Sequence, residues 1–386
     1  MRFGWIFLLA AAAFGQKQPF DVHQMLKLAR IGEPALSPDG QWVAFTVGRV
    51  DLNANTIPKQ IYITGANGSL PRQITQMGDD NERPRWSPDS KSIYFVSNRG
   101  GSSQIWVMNP DGSNPRQISR VSTEASGILI SPDGKKIVYL SDVYPECGAD
   151  DACNQTHLDA DAANKVKARI YTSLLYRHWT KWQGKRRQHI FSMNIDGTGT
   201  VDLTPGDRDV PPFSLGGPDD YAIAPDSAEV AFTTNTDPVL ATSTNSDIYV
   251  EPIAGGDAKK ISTSLAGDDA PAYSPDGKYL AFRSQVRPGY ESDRWRLMVY
   301  ERATNRLTNL SEGLDRWVES ITWFPDSTRI FYTIEDRGRT ALQMIPVSGG
   351  GSRGISYGNS SIGDVQFNGD GSFMIYSEET GSRPVE

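Results

Sequence analysis

A short polar turn recurs along the chain between stretches in which apolar and polar residues alternate. It has the form Ser-Pro-Asp-Gly or a close variant, and its copies begin at residues 37, 87, 131, 224, 274 and 324, with a degenerate copy at 368. Proline presets the backbone at the second position and glycine is favoured at the fourth, so each copy predicts a tight turn between two strands. We therefore expect the aspartate of each turn to be structural.

Each turn belongs to a longer repeat. In the second repeat, strand-like segments flank the turn at 84–87 and 92–98, and two more follow at 104–112 and 115–119. Successive copies start 50, 44, 93, 50, 50 and 44 residues apart. Four strands in such a length form one blade of a β-propeller, and a blade buries its faces only against its neighbours. Seven copies predict an all-β fold, a seven-bladed β-propeller over residues 33–386.

The two termini depart from this repeat. The seventh copy supplies only two strands, within residues 364–381, before the sequence stops at Glu386, so we expect its blade, and the chain itself, to be incomplete. Residues 20–30 have apolar side chains at helical spacing, which predicts a helix rather than a strand that closes the ring. Residues 16–32 are accordingly predicted to form a helical lead-in.

The spacing of 93 residues marks an insertion in the third repeat. Subtracting a typical repeat of ~47 residues leaves ~46 extra residues, which fall at about 142–187. Thr156 followed by Asp159 resembles the capping box of a helix N-terminus, and apolar residues recur at steps of four around it. These residues are Leu158, Ala162, Val166, Ile170 and Leu174. We predict a short loop followed by a helix that lies against the propeller.

The chain has two cysteines, Cys147 and Cys153, and both lie in this loop. In an exported protein they can pair with each other, and we predict a disulfide. Free thiols are one alternative. A metal site that includes the nearby His157 is another, although two cysteines and one histidine at this spacing are a weak signal. We predict neither a metal nor another cofactor.

The first fifteen residues, 1–15, have the build of a secretory signal peptide. Arg2 precedes an apolar run from Phe3 to Phe14, and the small residues Ala13 and Gly15 stand just before Gln16. This pattern predicts export, to a bacterial periplasm or beyond. The alternative is a membrane anchor, but about twelve apolar residues are too few to cross a bilayer. We therefore expect no stable membrane insertion.

Charge and composition exclude some classes of partner. Lys and Arg number 39 against 46 Asp and Glu, which gives a net charge of −7. A protein whose main partner is the nucleic-acid backbone needs clustered positive charge, so nucleic acid is not expected. The 9 Trp and 15 Tyr residues argue against a disordered chain.

The sequence contains no complete set of catalytic residues that can be recognised. Gly350-Gly351-Ser352-Arg353-Gly354 is its one Gly-x-Ser-x-Gly match. Such a motif is a nucleophile elbow only between a strand and a helix, and the residues that follow lack a helical pattern. We interpret the match as a hairpin turn and assign no catalytic residue.

Two segments combine charged with aromatic side chains. Residues 176–189 either form a strand pair with a solvated basic turn or position an anionic or peptide ligand, since arginine can clamp a carboxylate. Residues 289–296, in a second and shorter insertion, either form a salt-bridged loop or hold the amino group of a substrate. The candidate residues for substrate access are Arg177, His178, Trp179, Glu291 and Arg294.

Several longer strings resemble the N-terminal propeller of the prolyl oligopeptidase family, and most of all its bacterial acylaminoacyl-peptidase and dipeptidyl-peptidase branch. They include VYPECGADDACN, LLYRHWTKW, DLTPGDRDVPPF and YSPDGKYLAFRSQVRPGYESDRWRLMVY. The Ser-Pro-Asp-Gly turn alone is less specific, because TolB-like periplasmic propellers share it. The resemblance covers essentially the whole chain after the predicted signal peptide.

This resemblance implies a C-terminal α/β-hydrolase domain that carries a Ser-Asp-His triad and receives short peptides past the propeller. That domain is missing from the 386 residues, so no triad residue can be assigned. The leading interpretation is the substrate-gating portion of an exported serine peptidase, dipeptidyl- or acylaminoacyl-peptidase-like and inactive by itself. The alternatives are a stand-alone TolB-like binding propeller without catalytic activity and a propeller enzyme with its site on the channel rim.

Overall fold

The computed structural model describes most of the chain, namely residues 20–172, 174–214, 217, 219–356 and 358–386. The predicted signal peptide lies outside the described residues. Strands dominate the described part, and they form six four-stranded antiparallel sheets, which we call blades 1 to 6, and two two-stranded sheets. One of these is the hairpin of β11 (Arg177–His178) and β12 (Lys181–Trp182) in the insertion, and the other, near the end of the sequence, we call the terminal sheet.

The strands of each blade are given from its first to its last. Blade 1 consists of β1 (Arg30–Leu36), β2 (Trp42–Gly48), β3 (Lys59–Gly65) and β4 (Arg72–Gln73). Blade 2 consists of β5 (Asn81–Trp86), β6 (Ile93–Ser97), β7 (Gln104–Met108) and β8 (Arg116–Gln117). Blade 3 consists of β9 (Ser126–Ile130), β10 (Lys136–Val143), β13 (Arg187–Asn194) and β14 (Val201–Asp202).

The second half of the chain repeats the arrangement. Blade 4 consists of β15 (Tyr221–Ile223), β16 (Glu229–Asn235), β17 (Ser246–Pro252) and β18 (Lys259–Lys260). Blade 5 consists of β19 (Asp268–Tyr273), β20 (Tyr279–Ser284), β21 (Arg296–Glu301) and β22 (Arg306–Asn309). Blade 6 consists of β23 (Val318–Trp323), β24 (Arg329–Asp336), β25 (Arg339–Pro346) and β26 (Arg353–Gly354). The terminal sheet consists of β27 (Ser360–Phe367) and β28 (Met374–Thr380).

The first strands of the sheets lie at the centre of a ring. Strand β1 contacts β5, β5 contacts β9, β15 contacts β19, β19 contacts β23, and β27 contacts β1. Apolar side chains fill the space between consecutive sheets, so that each described pair from blade 1 to the terminal sheet has its own core cluster. Tyr139 and Phe191, for example, stack 5.4 Å apart between blades 2 and 3. The predicted all-β propeller is thereby confirmed.

The predicted number of blades is not confirmed, because six sheets, not seven, have four strands in the described residues. The terminal sheet takes the next place in the ring. The Gln366 side chain joins it to blade 1, since its Oε1 accepts from the Leu36 N–H at 3.0 Å and its Nε2 donates to the Pro34 carbonyl at 2.6 Å. At the other edge, Glu378 and Glu386 exchange two backbone hydrogen bonds of 3.0 and 2.9 Å.

The Ser-Pro-Asp-Gly turns join the first and second strands, as predicted, and their aspartates are structural. Asp39, for example, accepts hydrogen bonds from the Ser37 hydroxyl at 2.5 Å and from the Gln41 N–H at 3.0 Å. The fourth position alternates between glycine in blades 1, 3 and 5 and serine in blades 2, 4 and 6. Each of these serines has a positive φ of 60 or 61°.

These serines bridge neighbouring blades. The hydroxyl oxygen of each accepts a hydrogen bond from the aspartate N–H of the preceding turn. The bonds join Asp39 to Ser90 (3.1 Å), Asp133 to Ser227 (3.0 Å) and Asp276 to Ser327 (3.0 Å). Blades 1 and 2, 3 and 4, and 5 and 6 are therefore linked as pairs at this end of the ring.

Both predicted helices exist, but their bounds differ from the prediction. Helix α1 spans only Val22–Lys27, and β1 begins at Arg30, inside the predicted lead-in. Helix α2 spans Asp151–Ala163 and begins before the predicted capping box, because the Asp150 side chain caps it by accepting from the Cys153 N–H at 3.0 Å. The helix ends before the second half of the predicted apolar stripe. Val166, Ile170 and Leu174 follow it with exposed side chains.

A short 3₁₀ helix at Leu240–Thr242 completes the described elements, apart from the hairpin of the insertion. No helix in the described part of the chain is both long enough and apolar enough to cross a lipid bilayer.

Candidate functional site

The loops of the propeller divide between two ends of the ring. Because neighbouring strands are antiparallel, the Ser-Pro-Asp-Gly turns lie at one end and the loops between second and third strands lie at the other. The insertion joins β10 to β13, and residues 285–295 join β20 to β21, so both emerge at this second end. The innermost strands also begin there. We call it the loop end of the ring.

The basic and aromatic segment of the insertion forms a hairpin of β11 (Arg177–His178) and β12 (Lys181–Trp182). The Arg177 guanidinium lies 5.3 Å from the centre of the Trp182 ring, so this arginine packs against its own hairpin. Trp179 lies in the tight turn, with its side chain 83% exposed, and the His178 ring is next to it. The predicted strand pair is therefore present, with the aromatic Trp179 in its turn. That this segment positions a ligand stays a prediction.

A cavity of about 480 Å³ lies between this hairpin and the body of the protein. Its lining includes Tyr171, Trp182, Phe213 and the buried carboxylate of Asp209. The Tyr171 ring lies 6.0 Å from the Trp182 ring, and the Lys181 ammonium lies 5.4 Å from the centre of Phe213. Burial raises the pKa of Asp209. The cavity thus combines aromatic faces, a cation and a buried acid.

The second candidate segment forms a loop tied to its neighbours. The Arg294 guanidinium donates to the Leu314 carbonyl and, at 3.2 Å, to the Glu312 carbonyl, and so fastens the loop to the connection between blades 5 and 6. Glu291 has an exposed side chain, while its carbonyl accepts from Gln285 Nε2 at 3.0 Å. No ion pair joins Glu291 to Arg294 in the described structure. Arg294 therefore helps to hold the loop in place, whereas the Glu291 side chain is exposed to solvent. A role of either residue in substrate access stays a prediction.

The two cysteines of the insertion are joined by a disulfide, with their Cα atoms 5.5 Å apart. Cys147, Cys153 and His157 are also the group of metal-binding residue types that lie within 4.8 Å of one another in the described chain. The two sulfur atoms are committed to the disulfide, so this trio does not fit a metal ion.

Charged side chains that the sequence did not single out converge on the centre of the ring. Arg283 of β20 makes two hydrogen bonds of 2.7 Å to the Asp269 carboxylate, and its guanidinium is 3.5 Å from Glu319 of blade 6. Asp220, next to β15, is buried, and its pKa is raised to about 7, first by burial and then by the charge of Asp269. This network connects blades 4, 5 and 6.

A second group of charges lies across the ring in blades 1, 2 and 4. The Arg83 N–H donates to Glu33 of β1 at 2.9 Å, and the Arg83 guanidinium is 3.5 Å from Asp219. Arg85 lies two residues further along β5. Glu33 and Arg83 both sit at β-bulges with φ near +50°, and bulges re-aim side chains out of the regular ladder.

These central residues carried one signal in the sequence. Innermost strands are enclosed on both faces and should be apolar, yet "NERPRW" and "GDDAPAY", the segments that precede two of the turn motifs, contain charged residues. Such residues are expensive to bury unless they are paired or used.

Comparison with known proteins places this geometry in a family. The profile of the TolB beta propeller domain matches residues 25–162 and 220–385. Dipeptidyl-peptidase 5 of Porphyromonas gingivalis is 34% identical over 351 residues, which are 89% of this chain and 50% of that protein. The chain therefore spans about half the length of this curated relative.

Solved structures agree on the fold. An acylaminoacyl peptidase of Pyrococcus horikoshii superposes with a TM-score of 0.71 at 16% identity, over 96% of this chain and 52% of that one. The β-propeller domain of the Trilobed protease of Pyrococcus furiosus superposes with a TM-score of 0.61 at 16% identity, over 93% and 92% of the two chains. With its repeats, its ring of sheets and these matches, the chain belongs to the TolB beta propeller domain family.

Proposed function

We propose that this chain is the propeller portion of an exported serine peptidase that acts on short peptides in the manner of dipeptidyl- or acylaminoacyl-peptidases. The observation that carries the proposal is the 34% identity to a dipeptidyl-peptidase 5 over nearly the whole of this chain and half of the relative. The other half would be a C-terminal hydrolase domain with the nucleophilic serine and its histidine base. The part played by this chain is to restrict and orient the peptide.

The surroundings of the Gly-x-Ser-x-Gly match support the proposal that the nucleophile lies in another domain. Ser352 lies in the turn between β25 and β26, and its hydroxyl is hydrogen-bonded to the Tyr332 hydroxyl. A nucleophile elbow needs a following helix, whereas a strand follows here. We therefore place the reacting serine outside this chain.

The direct experiment compares two proteins. The first is the 386-residue chain, and the second is the product of the same reading frame extended beyond codon 386, which should contain a second Gly-x-Ser-x-Gly. The extended product should hydrolyse dipeptidyl chromogenic substrates, and the 386-residue chain should not. Turnover by the 386-residue chain that is lost in Ser352→Ala would overturn the proposal. A frame that ends at codon 386 would favour a binding propeller.

We propose further that the terminal sheet is the inner half of a seventh blade. Two observations join the terminal sheet to the ring, namely its contact with β1 and the hydrogen bonds of Gln366 to blade 1. A third is the pair of backbone hydrogen bonds between Glu378 and Glu386, which extends the sheet on its outer side. A cavity of about 220 Å³ with mainly apolar walls remains between this sheet and blade 1. Extension of the chain should slow amide exchange across residues 374–380, and unchanged exchange would reject the seventh blade.

Export is also a proposal, based on the pattern of residues 1–15. Expression with a bacterial secretion system should give a periplasmic protein whose first residue is Gln16, as read by intact mass. Retention of Met1 in a membrane fraction would instead support the anchor.

The loop end is the proposed route of the peptide. Trp179 and Glu291 have exposed side chains there, and His178 lies beside Trp179, whereas Arg177 and Arg294 hold their loops in place. In the extended product, Trp179→Ala and Glu291→Gln should lower kcat/KM for peptides without changing the melting temperature. Arg294→Ala should lower the melting temperature as well. Wild-type kcat/KM in both Trp179→Ala and Glu291→Gln would exclude this route.

A further inference from the structure

Arg85 is a cation in the middle of the ring without a direct counter-ion. Its guanidinium donates through Nη1 to the carbonyl of its own neighbour Pro84 at 2.9 Å, and no carboxylate lies within 4.0 Å of it in the described residues. Burial, and then the charge of Arg83, lower its pKa to about 10. The Arg85 side chain is half-buried, and a charge withdrawn from water without a direct partner is costly, so the position needs a reason beyond stability.

Arg83 brings a second guanidinium to the same place. Its backbone N–H is anchored to Glu33, and its guanidinium is 3.5 Å from Asp219, a residue whose own side chain is 91% exposed. Arg83 and Arg85 lie two residues apart on β5, and the charge of Arg83 acts on Arg85.

A tyrosine hydroxyl from blade 4 completes the group. Tyr221 is only 3% exposed, and its hydroxyl has no hydrogen-bond partner among the described residues. It lies over Gly127 of β9, where a Cβ atom would come within 2.5 Å of the hydroxyl oxygen. Gly127 thus makes room for this hydroxyl, and the charges of Arg83 and Arg85 both reach it. Leaving a buried hydroxyl without a hydrogen bond is unfavourable, and an oxygen atom of a ligand could accept the missing bond.

We propose that Arg83, Arg85 and the Tyr221 hydroxyl form a carboxylate-binding site in the central channel, above Gly127. Two planar guanidinium groups and a hydroxyl are donors that match the two oxygens of a carboxylate. Glu33 and Asp219 already offset much of the positive charge, so the site suits a monoanion better than a phosphate dianion.

The identity of the carboxylate rests on the proposed function. In a peptidase that takes short peptides, it is a free C-terminus or an acidic side chain of the substrate. A site for the C-terminus, placed in the channel, would select peptides by length, because a long chain could not bring both its end and its scissile bond to their sites. The site would then contribute to specificity and not to bond cleavage.

The test is a calorimetric titration of the 386-residue chain with a short acetylated peptide in three forms. The forms have a free C-terminus, an amidated C-terminus, or an amidated C-terminus with an internal glutamate. Loss of a charge-assisted hydrogen-bonded pair should weaken binding about tenfold or more. We expect amidation of the C-terminus to weaken binding by this factor. The internal glutamate should restore the affinity only if the site also accepts an acidic side chain.

Variants separate the site from the fold. Arg85→Met should weaken binding of the free acid about tenfold and leave the amide unchanged, and Tyr221→Phe should weaken it about threefold. Arg85→Lys keeps the charge but not the planar fork, and should fall between wild type and Arg85→Met. The control is Arg116→Met, at an exposed position of β8, which should bind like wild type.

Three results would overturn the site: equal affinity for acid and amide, wild-type binding by Tyr221→Phe together with either Arg85 variant, or tighter binding of inorganic phosphate than of the free peptide. These outcomes are independent of the proposed function. An extended product that cleaves acid and amide peptides with the same kcat/KM would remain a peptidase and would reject only the carboxylate site.

Discussion

Asp268 occupies, between blades 4 and 5, the position that Asn81 occupies between blades 1 and 2. Each is the first residue of an innermost strand, and each pairs with the serine that ends the next strand, Ser284 and Ser97 respectively. The Asn81 amide donates to Gln60 Oε1 at 3.2 Å and also approaches three backbone carbonyls. An aspartate in this place has no amide hydrogens to give.

Asp268 is fully buried, and neither of its carboxylate oxygens has a hydrogen-bond partner of good geometry in the described residues. The counterpart of Gln60 in this seam is another acid, Asp247, which is held by Lys260 at 2.7 Å and by Ser262 at 2.9 Å. Burial, and then the charges of Asp247 and Asp269, raise the pKa of Asp268 to about 7 against the opposing effect of nearby hydroxyls. Near neutral pH the side chain is thus partly a carboxylic acid.

The first prediction is that Asp268→Asn changes the pH dependence of stability. In the wild type the folded protein keeps this proton up to about pH 7, whereas the unfolded chain releases it near the ordinary value of 3.8. The folded state therefore binds more protons at this site in this window, and the contribution of Asp268 to the unfolding free energy falls by about 1.4 kcal/mol per pH unit as pH rises. Asp268→Asn should remove that slope and be the more stable protein at pH 8.

Urea unfolding at pH 4, 5, 6, 7 and 8 measures this difference. The matched control is Asp257→Asn, an exposed position in blade 4, which should parallel the wild type throughout. A stability difference between Asp268→Asn and wild type that stays constant from pH 4 to pH 8 would show that Asp268 titrates normally.

The second prediction concerns the serines at positive φ. Ser227→Ala keeps the unfavourable backbone conformation and loses the hydrogen bond from the Asp133 N–H, so it should destabilise by about 1 kcal/mol. Ser227→Gly loses the same bond but relieves about 1 kcal/mol of left-handed strain, so its stability should stay near that of wild type. Thermal melts of both variants decide the matter, and a glycine variant as unstable as the alanine variant would mean that the backbone is not strained.

The third prediction concerns the closure of the ring. Gln366→Met keeps the length of the side chain but leaves the Leu36 N–H and the Pro34 carbonyl without their partner, at a cost of about 1–3 kcal/mol. Hydrogen exchange of the Leu36 amide should speed up, while exchange in blade 4 should not change. Unaltered exchange at Leu36 would show that the bridge does not hold the terminal sheet to blade 1.

The fourth prediction is the disulfide. Under non-reducing conditions the intact mass should be about two mass units below that of the reduced protein, because two thiol hydrogens are lost on forming the S–S bond. Alkylation of Cys147 and Cys153 should require a reductant. Ready labelling of both without one would leave free thiols as the correct alternative.

The repeat predicted the blades because turn chemistry and strand alternation agree at every copy. The helix of the insertion was placed too far along the chain, since a four-residue step continues through Val166 and Ile170, which are exposed after the helix has ended. The helix starts earlier than the pattern of Thr156 and Asp159 predicts, because Asp150 caps it through its side chain. The hairpin turn at Ser352 followed from the same repeat logic and is confirmed.

The central charges lay beyond prediction for a different reason. Arg85, Gly127 and Tyr221 come from three blades, and only the ring brings them together. Charged residues in an innermost strand signal that something is unusual, but the sequence does not say which blades share the channel wall. The residues that each charged side chain contacts become apparent only in the folded ring.

The alternation of glycine and serine in the turns has a consequence for parity. The serine hydroxyls join the blades in pairs, so that bridged and unbridged joints alternate around the ring. This alternation can continue through the whole ring only when the number of sheets is even. The terminal sheet is an odd member, and its turn places Gly371 where blade 1 has Gly40, next to which it packs through Asn368. Neither glycine carries a hydroxyl to bridge the junction. Joints with and without a serine bridge alternate from blade 1 to blade 6, and the odd sheet therefore adds a second unbridged joint in succession. At the joint with blade 1, the Gln366 amide makes the hydrogen bonds between the two sheets.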